Sequence, residues 1–280
     1  MKSLNGAEIA DYMKLNQVHQ AQSLRSNKIQ PKLVIIRDSD NPVIVKYVNL
    51  KKQYGEDIGV VVEDWLREDV AEAIAEANAD KSVHGIIVQL PLRDVSQTDE
   101  VVGKITPEKD VDGLATLYHQ TNNDFEANAL GEIFESATAT AINWLLAGYD
   151  VKLQGQKIAL VGRGRLVGAP LERMWRNSGY DVTIFRSHSD LNKLKDFDVI
   201  VSATGVPHLI KDEMIKPGAI VVDAGTASEG GVLVGDVDEA VRKRTDLLAI
   251  TPKVGGVGPL TVTALFEHVL MAATAALNQQ

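Results

Sequence analysis

The chain has 280 residues, room for one large or two medium domains. Its 29 Lys and Arg against 38 Asp and Glu leave a net charge of −9, which argues against nucleic acid or anionic membranes as partners, and the lack of cysteine excludes disulfides, thiolate metal sites and a cysteine nucleophile. Glu8 and Asp11 fall where a signal peptide needs an apolar core, and no apolar run reads as a membrane span, so a cytoplasmic protein is expected. A helix is predicted around Gly6–Ser26, then a strand at Leu33–Arg37 (LVIIR) and a helix over Pro42–Tyr54. Ile58–Val62 reads as the next strand, Arg67–Ala79 as a helix, and Gly85–Leu90 (GIIVQL) as a strand stopped by Pro91, which cannot continue a central ladder. Polar, turn-prone sequence follows around His119–Glu126, then a helix near Thr138–Gly148. A second set of strands is expected at Ile158–Val161, Val182–Phe185, Val199–Ser202, Ile220–Asp223 and Leu247–Ile250, before a last helix over Leu260–Leu277. Strand and helix alternate throughout, which predicts two α/β domains, the second a Rossmann-like doubly wound sheet, with a cleft between them. Residues 1–135 with 262–280 would form the first domain and 136–261 the second.

The most informative segment is KIALVGRGRLVGAPLERMW, Lys157–Trp175. Ile158–Val161 is a short apolar run of the kind found in parallel strands covered on both faces. Gly162 and Gly164 permit a tight turn, the following helix offers unpaired N–H groups to a phosphate, and Gly168 lets that helix pack close on the sheet. The spacing G-x-G-x-x-x-G is one residue longer than the usual dinucleotide fingerprint, and an ordinary βα turn is the competing reading. The strand Asp181–Phe185 leads into Arg186-Ser187-His188-Ser189. NAD-selective enzymes place an acid at this point to accept from the ribose 2′-hydroxyl. Here Arg186, with Arg163 and Arg165 in the glycine turn, offers guanidinium forks suited to a 2′-phosphate, so NADP is expected over NAD.

Ligands of such folds bind beyond the carboxyl ends of strands. Candidates there are Tyr47 and Lys51, four apart on one helix face, Gln89 in VQLPL, Asp110 and Asp112 in KDVDG, and Gly255, Gly256 and Gly258 in TPKVGGVGPLT. Each has a plain structural alternative: a half-exposed helix face, an Asx-capped turn, or a proline, Pro259, that starts a helix. The six histidines are scattered without metal-ligand spacing, and no metal is expected.

Taken in order, YVNLK (Tyr47–Lys51), VQLPL (Val88–Leu92), PEKDVDG (Pro107–Gly113), VGRGRLVGAP (Val161–Pro170), KPGAIVVDAG (Lys216–Gly225), GDVD (Gly235–Asp238) and GGVGPLTV (Gly255–Val262) resemble the bifunctional methylenetetrahydrofolate dehydrogenase/methenyltetrahydrofolate cyclohydrolases. The resemblance runs from about Pro31 to the last helix. It implies NADP-dependent oxidation of 5,10-methylenetetrahydrofolate and hydrolysis of the methenyl product to 10-formyltetrahydrofolate, by a homodimer. By the same resemblance Lys51 would be the catalytic amine, aided by Tyr47 and Gln89, while Tyr47, Asp112, Gly255, Gly256 and Pro259 would contact the folate. The cofactor would meet Gly162, Arg163, Gly164, Arg165, Val167 and Gly168, then Arg186 and Ser187, Ala203, Thr204 and Gly205, and Gly225 and Thr226.

Several positions depart from the family pattern. Ile44 stands where a serine is usual, three residues before the tyrosine, and Ser136-Ala137-Thr138-Ala139 replaces proline-cysteine-threonine-proline. Gly164 replaces a serine, Arg186 a histidine, and Lys253-Val254 a valine-proline pair, while LATLYHQTN after Gly113 lacks the histidine-proline-asparagine pattern. Two other readings stay open: a non-catalytic folate- or nucleotide-binding relative, and a dehydrogenase for another small substrate, such as a shikimate-type enzyme.

Overall fold

The computed structural model describes residues 1–122, 134–229 and 232–278. In chain order its elements are β1 (Lys2–Ser3), α1 (Gly6–Ser26), β2 (Lys32–Arg37), α2 (Pro42–Ile58), β3 (Val61–Leu66), α3 (Val70–Ala79) and β4 (Gly85–Val88). There follow α4 (Thr98–Val102), α5 (Leu114–Asn122), α6 (Ala137–Gly148), β5 (Lys157–Val161), α7 (Gly168–Asn177), β6 (Asp181–Phe185), β7 (Val199–Ser202) and β8 (Ile220–Asp223). The chain closes with β9 (Ala227–Glu229), β10 (Val232–Val234), α8 (Glu239–Arg242), β11 (Ala249–Ile250) and α9 (Val257–Asn278). It divides into two compact units: Asp11–Ala137 with Val262–Gln280, and Met1–Ala10 with Thr138–Thr261.

The first of these units is built on a parallel sheet in the order β3-β2-β4. Central β2 is buried from Leu33 onward, as expected of an apolar run covered on both faces. Val34, Ile36, Ile86 and Val88 pack on one side against Ala73, Ile74 and Ala77 of α3. Helix α2 starts where Asn41 accepts a hydrogen bond from Val43 N–H and Pro42 takes the first turn, a position that needs no donor. It ends at Gly59, in the left-handed region at φ 83°. This cap lies five residues beyond the predicted end, so Ile58, expected in a strand, is helical, and β3 runs over Val61–Leu66 instead of Ile58–Val62. Helix α3 likewise starts at Val70 rather than Arg67, because Asp69 caps Glu72 N–H while Arg67 N–H still bonds Arg37 O beside the ladder. The stretch expected to be turn-prone from His119 is helical through Asn122, in α5; its remainder, 123–126, lies outside the described residues.

The other unit holds a six-stranded, all-parallel sheet in the order β1-β11-β8-β7-β5-β6. The chain runs outward from β5 to β6, then returns past β5 to add β7, β8 and β11, so the strand order reverses between β5 and β7. Residues 1–10 were expected with the first domain, but Lys2 and Ser3 pair with Ala249 and Ile250, and this ladder places them here. β11 is shorter than predicted, two residues rather than four, and a small antiparallel pair, β9 and β10, was not foreseen.

Helix α9 also corrects the sequence reading. Val257–Asn278 is long and apolar enough to cross a bilayer, against the expectation that no run reads as a membrane span. Half of its most apolar window is buried in the protein, and its buried His268 hydrogen-bonds Val111 O at 2.8 Å. A core helix satisfies the same composition test as a spanning one.

Candidate active site

In the unit containing the three-stranded sheet, the sequence candidates gather at the carboxyl ends of β2 and β4. Gln89 follows β4, and its N–H still bonds Ile36 O at 2.8 Å, which fixes the backbone from which its side chain projects. Lys51, in the middle of α2, donates from Nζ to Gln89 Oε1 at 2.8 Å. Gln89 Nε2 donates in turn to Leu90 O at 3.2 Å, so the amide is oriented with its oxygen toward the amine. Burial pushes the Lys51 ammonium below its ordinary value, and the negative charge of Asp112 works against that shift. Asp112 is pushed up to about 6 by burial, against the pull of Lys51 and of a hydrogen bond from Ala137 N–H. The two sense each other's charge without forming an ion pair. Tyr47 lies half-buried one turn before Lys51, and its hydroxyl has no hydrogen-bond partner among the described residues.

The two aspartates of KDVDG have separate tasks. Asp110 is fully buried, and its two oxygens accept from Leu114 N–H at 3.0 Å and Thr116 N–H at 2.8 Å, which starts α5. Gly113 sits at φ 70°, and a Cβ there would come within 2.7 Å of Phe134 O. The loop therefore needs glycine for backbone strain and for close approach alike. Asp110 is consumed by capping α5, while Asp112 accepts from Ala137 N–H at the start of α6 and senses the charge of Lys51. Spacing alone could not have separated the two.

The other unit brings the expected cofactor positions to one edge of its sheet. Gly162 follows β5 at φ 95°, where a Cβ would lie 2.6 Å from Ala203 O, and at Gly168 a Cβ would lie 2.3 Å from Gly162 O. These two glycines let the turn, the loop after β7 and the start of α7 close on one another. Gly164 differs: nothing lies within 4 Å of a Cβ built there. Val167, at the head of α7, makes no side-chain cap, and of the first-turn groups Ala169 N–H bonds Gly164 O at 3.0 Å. An uncapped helix start beside an open glycine, at the point where strand order reverses, suits a dinucleotide pyrophosphate.

Around this turn the arginines divide. Arg163 donates from Nε to Glu172 Oε2 at 2.5 Å, and Arg176 shares the same carboxylate. Nothing in the sequence of the glycine turn signals this partner, nine residues away on α7. Arg186 is exposed and forms no ion pair among the described residues; its backbone N–H is fixed by Ser189 Oγ at 2.9 Å. Ala203, Thr204 and Gly205 follow β7, and Gly225 and Thr226 follow β8, all at the same carboxyl edge. Gly255, at φ 86°, accepts from Ala7 N–H at 3.0 Å, and Gly256 O lies where a Cβ on Gly6 would fall, at 2.0 Å. Pro259 stands in the first turn of α9, which begins three residues earlier than predicted. Gly258 faces open space, with nothing within 4 Å of a built Cβ.

Sequence reasoning gave no role to Asp223, Asp236 and Arg242, which form a largely buried polar cluster beneath these loops. For Asp223 and Asp236 the one signal is position, inside the quoted segments KPGAIVVDAG and GDVD; Arg242 lies outside both.

A parallel sheet with a glycine turn at its switch point, in one chain with a separate α/β unit carrying an amine, an amide and a carboxylate, defines a nucleotide-dependent enzyme of the dehydrogenase type. Residues 4–112 match the model of the tetrahydrofolate dehydrogenase/cyclohydrolase catalytic domain, and residues 136–277 that of the NAD(P)-binding domain of the same family. The chain belongs to the tetrahydrofolate dehydrogenase/cyclohydrolase family. It is 39% identical over 250 residues to the bifunctional protein FolD of Aquifex aeolicus, covering 86% of this chain and 84% of that relative. To the FolD protein of Staphylococcus carnosus it is 37% identical over 287 residues, covering 97% and 96%. The crystal structure of the bifunctional FolD methylenetetrahydrofolate dehydrogenase/cyclohydrolase from Campylobacter jejuni superposes with a TM-score of 0.89 at 34% identity, covering 98% of this chain and 99% of that one. The Trypanosoma brucei enzyme, solved with NADP cofactor and inhibitor, gives 0.83 at 29% identity, covering 98% and 97%.

Proposed function

We propose that this chain is a bifunctional enzyme that oxidises 5,10-methylenetetrahydrofolate with NADP and hydrolyses the methenyl product to 10-formyltetrahydrofolate. The observation that carries the reading is the Lys51 amine, bonded to Gln89 at 2.8 Å and held below its ordinary pKa by burial, in one unit with Asp112. A structural lysine would normally keep its charge in water or in an ion pair; this one is desolvated and reaches an amide.

Bound NADP supplies a hydride acceptor for the methylene carbon between N5 and N10. Lone pairs on both nitrogens stabilise the resulting cation, so the protein's task in that step is orientation rather than proton removal. Gly162, Gly164, Gly168 and the start of α7 would hold the pyrophosphate, and Arg186 with Ser187 the 2′-phosphate that distinguishes NADP from NAD. Asp112 would accept from the pterin amino group and ring N–H, with Tyr47, Gly255, Gly256 and Pro259 completing the folate contacts. For hydrolysis, water adds to the methenyl carbon and gives a proton to the uncharged Lys51 amine, whose lowered pKa raises the share of that form. The C–N5 bond then breaks as the new hydroxyl loses its proton and N5 gains one, leaving the formyl group on N10. Gln89 Oε1 would orient the amine throughout.

The reading extends to a cytoplasmic homodimer with a folate-binding domain and an NADP-binding domain; the family domain models at 4–112 and 136–277 support the division into two. One assay tests the activity. Purified protein given methylenetetrahydrofolate and NADP should form NADPH, and given methenyltetrahydrofolate alone should bleach its absorbance faster than buffer does. Failure of both reactions would overturn the reading.

A further inference from the structure

The GDVD segment takes no part in the chemistry above, yet its first aspartate is bound into the edge of the sheet that faces the cofactor loops. Asp236 is fully buried. Its Oδ2 accepts from Ser202 Oγ and from Thr204 N–H, both at 2.7 Å. Its Oδ1 is buried with no hydrogen-bond partner and lies against Gly225, where a Cβ would fall 1.9 Å away. One carboxylate thus holds the loop after β7 by its backbone while pressing on the loop after β8.

Asp223, at the end of β8, holds Asp236 in turn. Its Oδ1 accepts from Gly225 N–H at 3.1 Å and Asp236 N–H at 3.0 Å, and its Oδ2 accepts from Val237 N–H at 3.1 Å. Arg242 donates to Asp223 Oδ2 and to Thr251 O, each at 2.5 Å, and Asp223 N–H bonds Thr251 Oγ1 at 2.9 Å. Thr251 opens the loop that carries Gly255 and Gly256. Three successive strand ends, β7, β8 and β11, are therefore tied by directional bonds to two carboxylates and one guanidinium. A hydrophobic filling would close the core with no desolvation cost, whereas ions in this place fix backbone geometry at the price of that cost.

We propose that Asp236 is a positioning residue for the cofactor: it sets Ala203–Gly205 against Gly225, with Asp223 and Arg242 holding its own backbone in place. The proposal rests on the NADP reading. Asp236→Ala would leave Thr204 N–H and Ser202 Oγ without their acceptor and open space beside Gly225, so the loop after β7 would drift from the nucleotide. Asp236→Asn keeps an acceptor oxygen and restores the geometry.

The test is calorimetric titration of NADP into the full-length protein and its variants, each checked by circular dichroism melting. Asp236→Ala should weaken NADP about tenfold, the scale of one charge-assisted hydrogen bond, while Asp236→Asn stays within about threefold of the parent. Lys216→Ala removes an ion pair with Asp198 at the opposite, amino-terminal edge of the same sheet and should leave NADP affinity unchanged. A folded Asp236→Ala that binds as the parent does, or an equal loss in Lys216→Ala, overturns the proposal. Should Asp236→Ala fail to fold, Ser202→Ala, which deletes one of the two bonds, should weaken NADP about threefold; unchanged affinity there overturns it as well. A parent protein that binds no NADP overturns the cofactor reading and this proposal together, whereas a binding parent with insensitive variants overturns this proposal alone.

Discussion

Replacing Lys51 by methionine should remove methenyl hydrolysis while leaving the fold as stable as before, or more so. Methionine matches the length of the lysine stem and keeps its packing. Two stability terms oppose each other. The variant loses the bond to Gln89 Oε1, seen at 2.8 Å, and a hydrogen bond to a charged group is worth about 1.5–3 kcal/mol. It also removes a desolvated ammonium, whose burial costs several kcal/mol for a fully enclosed ion and less at a half-buried site such as this. The balance should fall within about 1 kcal/mol of zero. Its pH dependence has a definite sign. The folded pKa lies below the ordinary 10.5, so the unfolded chain binds the proton more tightly and the parent gains stability as pH rises through that interval. The advantage of the variant should therefore be greatest below the folded pKa and fade toward 10.5. Activity should behave differently, because a positioned proton acceptor contributes about 10²- to 10⁴-fold. Loss of methenyl absorbance, followed beside thermal melts at several pH values, reads both quantities. Hydrolysis within twofold of the parent in a folded Lys51→Met protein would refute the role of this amine.

Arg186→Ala should lower the preference for NADP over NAD about ten- to a hundredfold, the scale of one or two charge-assisted hydrogen bonds to the 2′-phosphate; equal preference in parent and variant, measured as the ratio of kcat/KM values, would assign the discrimination elsewhere. Gly55→Ala improves helix propensity by about 1 kcal/mol, but its Cβ would lie 2.4 Å from Val62 Cγ2 and 3.1 Å from Phe266 Cε1, and overpacking of this kind costs about 1–3 kcal/mol. Urea unfolding should show a net loss, and a stabilised variant would contradict the packing. His84 is pushed down to about 4 by burial and by the charges of Lys109 and Lys32. Its contribution to stability is complete above the ordinary 6.5 and is lost as pH falls toward 4. His84→Gln should flatten this acid limb by at most about 3 kcal/mol, and melts that fall equally in both proteins over that range would remove His84 as a cause.

How far the chain could be read without coordinates depended on how local each signal was. LVIIR and KIALV are apolar over four or more neighbouring residues, so β2 and β5 were visible at once. Asn41-Pro42 marked the start of α2 by its own chemistry, and Tyr47 and Lys51 share a face because helical period alone puts them there. Distance in sequence hid the rest. Lys2 and Ser3 gave no strand signal, since two residues acquire that state only by pairing with Ala249 and Ile250. Leu260–Leu277 was legible as a helix, but its length and apolar character came with no indication of the surroundings that bury His268 against Val111 O.

The amino-acid sequence by itself determined the alternation of strands and helices, the glycine turn after β5 and the residue types available for chemistry, because propensity and side-chain period act between near neighbours. Only the tertiary structure decided which partners these groups hold: Asp110 the start of α5, Arg163 Nε the Glu172 carboxylate, Asp236 the loop after β7. It also decided that Lys51 would be desolvated beside Gln89 and within reach of the charge on Asp112. Burial and hydrogen-bond partners are set by segments far apart in the chain, and they fix the protonation and direction of a side chain once the fold has closed around it.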